Sequence, residues 1–207
     1  MLYRFFKRML DITLSLLGIV VLIVPMFIVA IIIKIDSPGP VFFKQKRMGI
    51  HKRHFNILKF RSMPTEVPKD MPTHLFKAED MLSKWQKFIR KTSIDELPQL
   101  FNIFVGDMTI IGPRPALWNQ EDLIAERDKY GANDIKPGLT GLAQISGRDE
   151  LEIDVKARLD GEYVEKMSFL FDVRMFLGTI FYVLKRKGVV EGGTGAISEQ
   201  KEEVGSK

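Results

Sequence analysis

Cysteine is absent from all 207 residues. That absence excludes a disulfide framework, a thiolate nucleophile and thiolate-held zinc. Histidine is almost as scarce. His51, His54 and His74 are the whole supply, and the first two lie among Lys52 and Arg53, a setting that reads as a solvated basic loop more than an imidazole metal site. Neither a Walker-A nor a GxGxxG pattern occurs, so any bound nucleotide is held without those glycine-rich phosphate loops. Acidic residues are outnumbered, 26 against 31 basic ones, for a net charge of +5. The excess cations sit beside turns and an apolar run, not along one helix with interleaved aromatics, and this disfavours nucleic acid as the partner.

What the chain does have is length and apolar content for one sizeable core, with 45% hydrophobic residues. Between residues 12 and 33 the only polar side chains are Thr13 and Ser15. At about 1.5 Å per residue such a helix is long enough to cross a bilayer. It exceeds the apolar core of a signal peptide and no small-residue cleavage pattern follows it, so it is expected to be retained. Arg4, Lys7 and Arg8 precede the run, and Lys34, Lys44, Lys46 and Arg47 follow it. Basic flanks on both sides give no vote for a simple crossing, and Pro25 favours a kink. Together they predict a helix that enters the membrane, bends and returns to the same face, with a kinked spanning helix as the alternative.

Asp36-Ser37-Pro38-Gly39-Pro40 then turns the chain. Residues 41–46 and 55–60 read as a β-hairpin around a basic loop whose cations suit anionic headgroups, each worth ~1 kcal/mol near the surface. Lys59 and Arg61 emerge at the end of the second strand, and residues 64–72 read as a mobile, proline-rich loop. Ser83 is a candidate cap for a helix leading to the Asp-Glu stretch. Ile110-Ile111-Gly112-Pro113-Arg114-Pro115 reads as a rigid loop presenting one arginine. A helix is expected over residues 119–130, then a turn and short strand from Lys136 to Gln144. Its glycines permit close approach to a ligand, although turn-making explains them equally. Residues 152–166 read as a polar helix, and residues 169–184 as an amphipathic helix lying in the membrane interface, with core packing as the alternative. Asp172 and Arg174 interrupt that last run too much for a spanning segment. Residues 188–207 are Gly- and Glu-rich and are expected to be disordered.

The stretch with chemical content is Arg90-Lys91-Thr92-Ser93-Ile94-Asp95-Glu96-Leu97-Pro98-Gln99. Asp95 is able to act as a nucleophile that becomes phosphoryl-linked, with Glu96 sharing a metal or tuning its charge. The same residues also read as a helix start, with Ser93 and Glu96 forming a capping box. Carboxylates, a divalent ion and cations such as Lys59, Arg61, Arg90, Arg114 and Arg148 are what pyrophosphate chemistry requires.

These segments together resemble the bacterial sugar transferases, the monotopic phosphoglycosyl transferases, from about Lys7 to Lys187. The resemblance rests on the apolar helix, Ser37-Pro38-Gly39-Pro40-Val41-Phe42-Phe43-Lys44-Gln45, Lys59-Phe60-Arg61-Ser62-Met63 and the Asp-Glu stretch. It continues in Gly106-Asp107-Met108, Gly112-Pro113-Arg114-Pro115, Pro137-Gly138-Leu139-Thr140-Gly141, and Asp160 shortly before Tyr163-Val164. It implies transfer of a sugar 1-phosphate from a UDP-sugar to polyprenol (undecaprenyl) phosphate with release of UMP. Asp95 would be the nucleophile, Glu96 its partner, and both would lie at a Mg2+ site. Lys59, Arg61, Arg90, Arg114, Arg148 and Asp160 are the expected substrate-binding residues. One departure is Val24 before Pro25, where family members often carry Ser. The implied fold is α+β and mostly helical: a re-entrant membrane helix (residues 1–35), a catalytic domain with a β-hairpin and interfacial helices (36–187), and a tail (188–207). The implied location is the bacterial cytoplasmic (inner) membrane, domain on the cytoplasmic face, with phospholipid as a partner and a homodimer allowed. An inactive membrane-tethered scaffold is the rival reading.

Overall fold

Our structure is a computed structural model that describes residues 2–65, 82–147 and 151–185. The expected loop over residues 64–72 lies mostly outside the described residues, and the expected tail over 188–207 wholly so. Helix α1 (Leu2–Asp36) starts ten residues before the apolar run and continues unbroken through Pro25. Its inward stripe is Asp11, Ser15, Ile19, Met26, Val29 and Ile33, spacings of three, four and seven that keep one face of a 3.6-residue helix inward. The opposite face leaves Leu16, Leu17, Val20, Val21, Val24, Phe27 and Ile28 exposed.

Both halves of α1 pack on the same body. Near its start, the Arg8 guanidinium donates to the carbonyls of Ile103 (2.6 Å) and Phe104 (2.8 Å). The Asp11 carboxylate accepts from the Thr109 hydroxyl (2.7 Å) and the Ile110 amide (3.0 Å). Further along, Met26, Val29 and Ile33 join Phe60 and Ile89 in one apolar cluster. Arg8 and Asp11, ahead of the apolar run, are therefore docking contacts and not a solvated flank.

The hairpin is found. Strands β1 (Phe42–Met48) and β2 (His54–Phe60) pair antiparallel from Phe42↔Phe60 to Met48↔His54. Its loop carries two left-handed residues, His51 and Lys52. Helix α2 (Lys84–Lys91) begins at the expected Ser83, whose side chain and that of Gln86 form a reciprocal capping box. Helix α3 (Gln99–Val105) is latched to β2 by one amide: Asn102 accepts from Leu58 N–H (2.9 Å) and donates to the Asn56 carbonyl (2.9 Å).

A second, parallel pair joins β3 (Thr109–Ile111) to β4 (Gly138–Thr140). Between them lies α4 (Glu121–Asp128), shorter than the expected 119–130. Helices α5 (Leu142–Ser146), α6 (Ile153–Lys166) and α7 (Phe169–Lys185) complete the fold. The molecule is α+β and mostly helical, as the sequence implies. Helix α7 is amphipathic: Phe169, Leu170, Phe176, Leu177 and Phe181 are exposed, whereas Met175 and Asp172 are buried. Asp172, read from sequence as an interruption, is the inward anchor of the helix. Its carboxylate takes Tyr3 (2.6 Å), Lys7 and Tyr163 (2.7 Å).

The glycines of the motif after Lys136, expected to serve either a ligand's approach or a turn, have a further reason that involves the Gly112 motif. A Cβ at Gly138 would stand 2.2 Å from the Gly112 nitrogen, and one at Gly141 would stand 2.2 Å from the Gly112 carbonyl oxygen. Both distances are impossible for real side chains. The motifs pack backbone to backbone, joined by Gly112 N–H to Thr140 O (2.8 Å) and Gly138 N–H to Pro113 O (2.7 Å). The close approach is between two loops of the protein itself.

Candidate active site

Asp95 and Glu96 lie on a single 3-10 turn, Ile94–Glu96, between α2 and α3. The capping-box alternative is not what the structure contains: Ser93 makes no side-chain cap and is left-handed, with φ 56° and ψ 21°. Such a conformation costs a non-glycine residue about 1–2 kcal/mol, and here it redirects the chain so that the two carboxylates point into the fold. The turn is tied back to the end of α2, because the Arg90 carbonyl accepts the Ser93 N–H (3.1 Å) and the Thr92 hydroxyl donates to the Phe88 carbonyl (2.8 Å).

Glu96 is the meeting point of two cations from distant segments. Lys59 of β2 reaches its Oε1 at 2.9 Å and Arg114 reaches the same oxygen at 3.1 Å. The three side chains are only 15%, 26% and 13% exposed, for Lys59, Arg114 and Glu96, so solvent screens the cluster weakly. Arg114 follows β3 in the loop that Gly112 and Gly138 pin, and the next residues are tied to the hairpin by Arg47 donating to the Pro115 carbonyl (2.9 Å). The expected rigid loop presenting one arginine is thus realised, and its target is Glu96.

Asp95 is buried, and the buried Ser62 hydroxyl donates to its Oδ2 at 3.3 Å. Ser62 was not among the expected site residues. Its signal was its place in the Lys59-Phe60-Arg61-Ser62-Met63 stretch, two residues past the end of β2, where the chain leaves the strand close to the Asp-Glu turn.

Arg90 sits half-buried in the last turn of α2, just ahead of the carboxylates. Two expected substrate contacts are placed elsewhere. Arg61 is buried, and its guanidinium donates to the Ser37 carbonyl (2.7 Å), the Ser37 hydroxyl (2.8 Å) and the Pro38 carbonyl (2.6 Å). It staples the Ser37-Pro38-Gly39 turn to the end of β2. Asp160 is fully buried in α6, where its Oδ2 accepts from Arg127 Nε (2.8 Å) and a terminal nitrogen (2.6 Å). Burial pushes the Asp160 carboxyl up, and Arg127 opposes that shift. Arg148 lies outside the described residues.

Among the described residues no group of three or more His, Asp or Glu stands close enough to hold a metal by itself. Mg2+ is commonly held by one or two carboxylates together with substrate phosphates. Adjacent Asp95 and Glu96 fit that mode, and they do not form a dedicated protein cage.

A buried Asp95 beside a Glu96 that two cations contact, on a small domain with one long apolar helical face, belongs to a membrane-associated transferase. More narrowly, the chain belongs to the bacterial sugar transferase family, whose sequence profile matches residues 2–186. Over 183 residues it is 37% identical to the uncharacterized sugar transferase EpsL of Bacillus subtilis, covering 88% of this chain and 89% of that protein. It is also 37% identical to the UDP-glucose:undecaprenyl-phosphate glucose-1-phosphate transferase of Escherichia coli, over 86% of this chain and 40% of that protein. The undecaprenyl-phosphate galactose phosphotransferase of Salmonella typhimurium is 33% identical, over 89% of this chain and 42% of its own length. The chain thus spans nearly all of EpsL but about two-fifths of the two longer relatives.

Proposed function

We propose that this chain is a phosphoglycosyl transferase that moves a sugar 1-phosphate from a UDP-sugar to polyprenol phosphate. The observation that carries the reading is the Lys59–Glu96–Arg114 cluster beside buried Asp95. The names of the longer relatives support the donor and acceptor classes. An Asp95 oxygen attacks the β-phosphorus. The bond from that phosphorus to the bridging oxygen breaks, and UMP leaves with the electron pair. A phosphosugar remains on Asp95 until an oxygen of the lipid phosphate attacks the same phosphorus and frees the carboxylate.

Each residue has a separable task. Ser62 orients the attacking carboxylate. Glu96 holds Lys59 and Arg114 in place before substrate arrives, so that little reorganisation is needed as charge shifts onto the leaving group. Arg114, with a planar fork, suits the diphosphate, and Lys59 supplies a point charge. Arg90 is assigned to the rim of the same site. Mg2+ held by Asp95, Glu96 and the diphosphate would offset phosphoryl charge that otherwise repels the nucleophile.

The membrane arrangement we propose rests on α1. Asp11 and Ile33 touch the same domain, yet they are separated by about 33 Å of helix at 1.5 Å per residue. That is as long as the hydrocarbon core is thick, so no free stretch is left to cross it. We place both ends of α1 on the side of the domain, the cytoplasmic face of the bacterial inner membrane, with the exposed faces of α1 and α7 toward lipid.

The test incubates the full chain with a labelled UDP-sugar and magnesium in the absence of lipid. Mass spectrometry should find a phosphosugar on the peptide containing Asp95, together with stoichiometric UMP, and a chelator should suppress both. Asp95→Asn should show no adduct and a turnover at least ~10^3-fold lower. Near wild-type turnover in that variant would remove Asp95 from the mechanism.

A further inference from the structure

A cavity of about 190 Å3 lies between the first turns of α1 and the segment leading into β4. None of Lys59, Asp95, Glu96 or Arg114 lines it, so it is separate from the site above. Ile111, Ile135 and Met167 make part of its wall apolar, while Arg4, Arg8 and Lys136 bring positive charge.

The charges of this cavity are not balanced from within. Of the other ionisable groups on its wall, Lys7 is paired with Asp172, and Asp134 lies against His51 (3.1 Å). Asp11 keeps its negative charge while it accepts from the neutral Thr109 hydroxyl and Ile110 amide, which leaves four cations on the wall, Arg4, Lys7, Arg8 and Lys136, against two carboxylates, Asp11 and Asp134. Arg8 and Lys136 converge over the left-handed corner at Gly106, where a Cβ would lie 3.1 Å from an Arg8 nitrogen and 3.4 Å from the Lys136 ammonium. Arg8 is turned toward the carbonyls of Ile103 and Phe104, whereas Lys136 has no hydrogen-bond or ion-pair partner among the described residues. Its ammonium is held below the usual lysine range, first by burial and then by Arg8, and the carboxylates of Asp11 and Asp107 offset this only in part. Two neighbouring cations beside an apolar cavity repel each other unless an anion comes between them.

We propose that this cavity is a binding site for the phosphate of an amphiphile, with the phosphate between Arg8 and Lys136, Arg4 at the rim, and the adjoining apolar segment against Ile135 and Met167. Phosphate suits the site because charge-assisted bonds from arginine and lysine are strongest to such oxygens. An apolar tail suits it because the wall beyond the cations is apolar. The location agrees: Phe5, Phe6, Met9 and Leu10 stand exposed on the same turns of α1, where a lipid would arrive from the bilayer. The polyprenol phosphate acceptor must reach the phosphorus on Asp95, which does not line this cavity, so the shared chemistry has two other sources, an anionic phospholipid headgroup or free phosphate.

The full chain in neutral detergent is titrated at constant ionic strength with dihexanoyl phosphatidylglycerol, dihexanoyl phosphatidylcholine or sodium phosphate, and its melting temperature is followed. Phosphatidylglycerol should raise the melting temperature of the wild type, and the zwitterionic lipid should do so far less. Lys136→Gln together with Arg4→Gln should weaken the apparent affinity at least tenfold. Lys136→Arg should retain it, and Lys129→Gln, on an exposed i,i+3 pair, should leave it unchanged. Arg4→Gln alone, at an exposed position, should still weaken the response should the double variant fold poorly. Phosphate matching phosphatidylglycerol would identify the free anion as the occupant of the same site. No response to either anion, or one unchanged in Arg4→Gln and in the double variant, would overturn the assignment.

Discussion

At the scale of single residues, the structure separates cations and acids that looked alike in the sequence. Arg114 and Arg53 are both arginines beside turns, but Arg114 is bonded to Glu96 and mostly buried while Arg53 is exposed. Arg114→Ala should lower turnover by about 10^2-fold, the usual cost of removing one preorganised electrostatic donor. Arg53→Ala should stay near wild type, and equal modest losses would take Arg114 out of the site. Asp160 makes the opposite case. Asparagine there strips Arg127, 6% exposed, of its counter-charge, which should cost about 3–5 kcal/mol in a denaturant titration. Activity per folded molecule should hold, and Arg127→Met in the same chain should restore part of the stability. A stable Asp160→Asn protein without activity would return Asp160 to the substrate.

At the scale of elements, the site is positioned by contacts between backbones as much as by side chains. Lys59 is carried by β2, the Asp-Glu turn is followed by α3, and one amide, Asn102, ties α3 to β2. Arg114 depends on the parallel pair β3–β4 and on glycines that let the two loops touch. Gly138→Ala would press a methyl into the Gly112 backbone, where no flexible side chain yields. We expect a loss of 2 or more kcal/mol, as ~1–3 kcal/mol is common for overpacking, and a fall in turnover because Arg114 moves with its loop. Gly131→Ala is the control. Gly131 is also left-handed, at φ 65°, but a Cβ there meets nothing within 4 Å, so it should cost about 1–2 kcal/mol of strain and leave turnover per folded molecule unchanged.

At the scale of the whole molecule, α1 is both the membrane element and a structural wall of the domain. A spanning helix would place residues 2 and 51 on opposite faces of the membrane. The proposed arrangement, with both helix halves docked on one domain, has them on the same face. Since the chain contains no cysteine, Leu2→Cys and His51→Cys provide single labels. In intact cells both should resist a membrane-impermeant thiol reagent and react after lysis. Labelling at position 2 alone would establish a crossing.

The sequence by itself determined what depends on neighbours within a few turns. The apolar run specified α1, alternation and a basic loop specified the hairpin, Ser83 specified the start of α2, and the amphipathic period specified α7. The order of motifs was enough to name the family. Tertiary structure alone decided where the charges go. Glu96 finds Lys59 and Arg114 from 37 and 18 positions away, Asp160 finds Arg127 from 33, and Asp11 finds Thr109 from 98. Turn chemistry and hydrophobic period are local properties, set by sterics and by which side of one element is apolar. The partner of a buried charge is set by which elements cross, and a carboxylate in a sequence reads the same whether its cation comes from a substrate or from another helix.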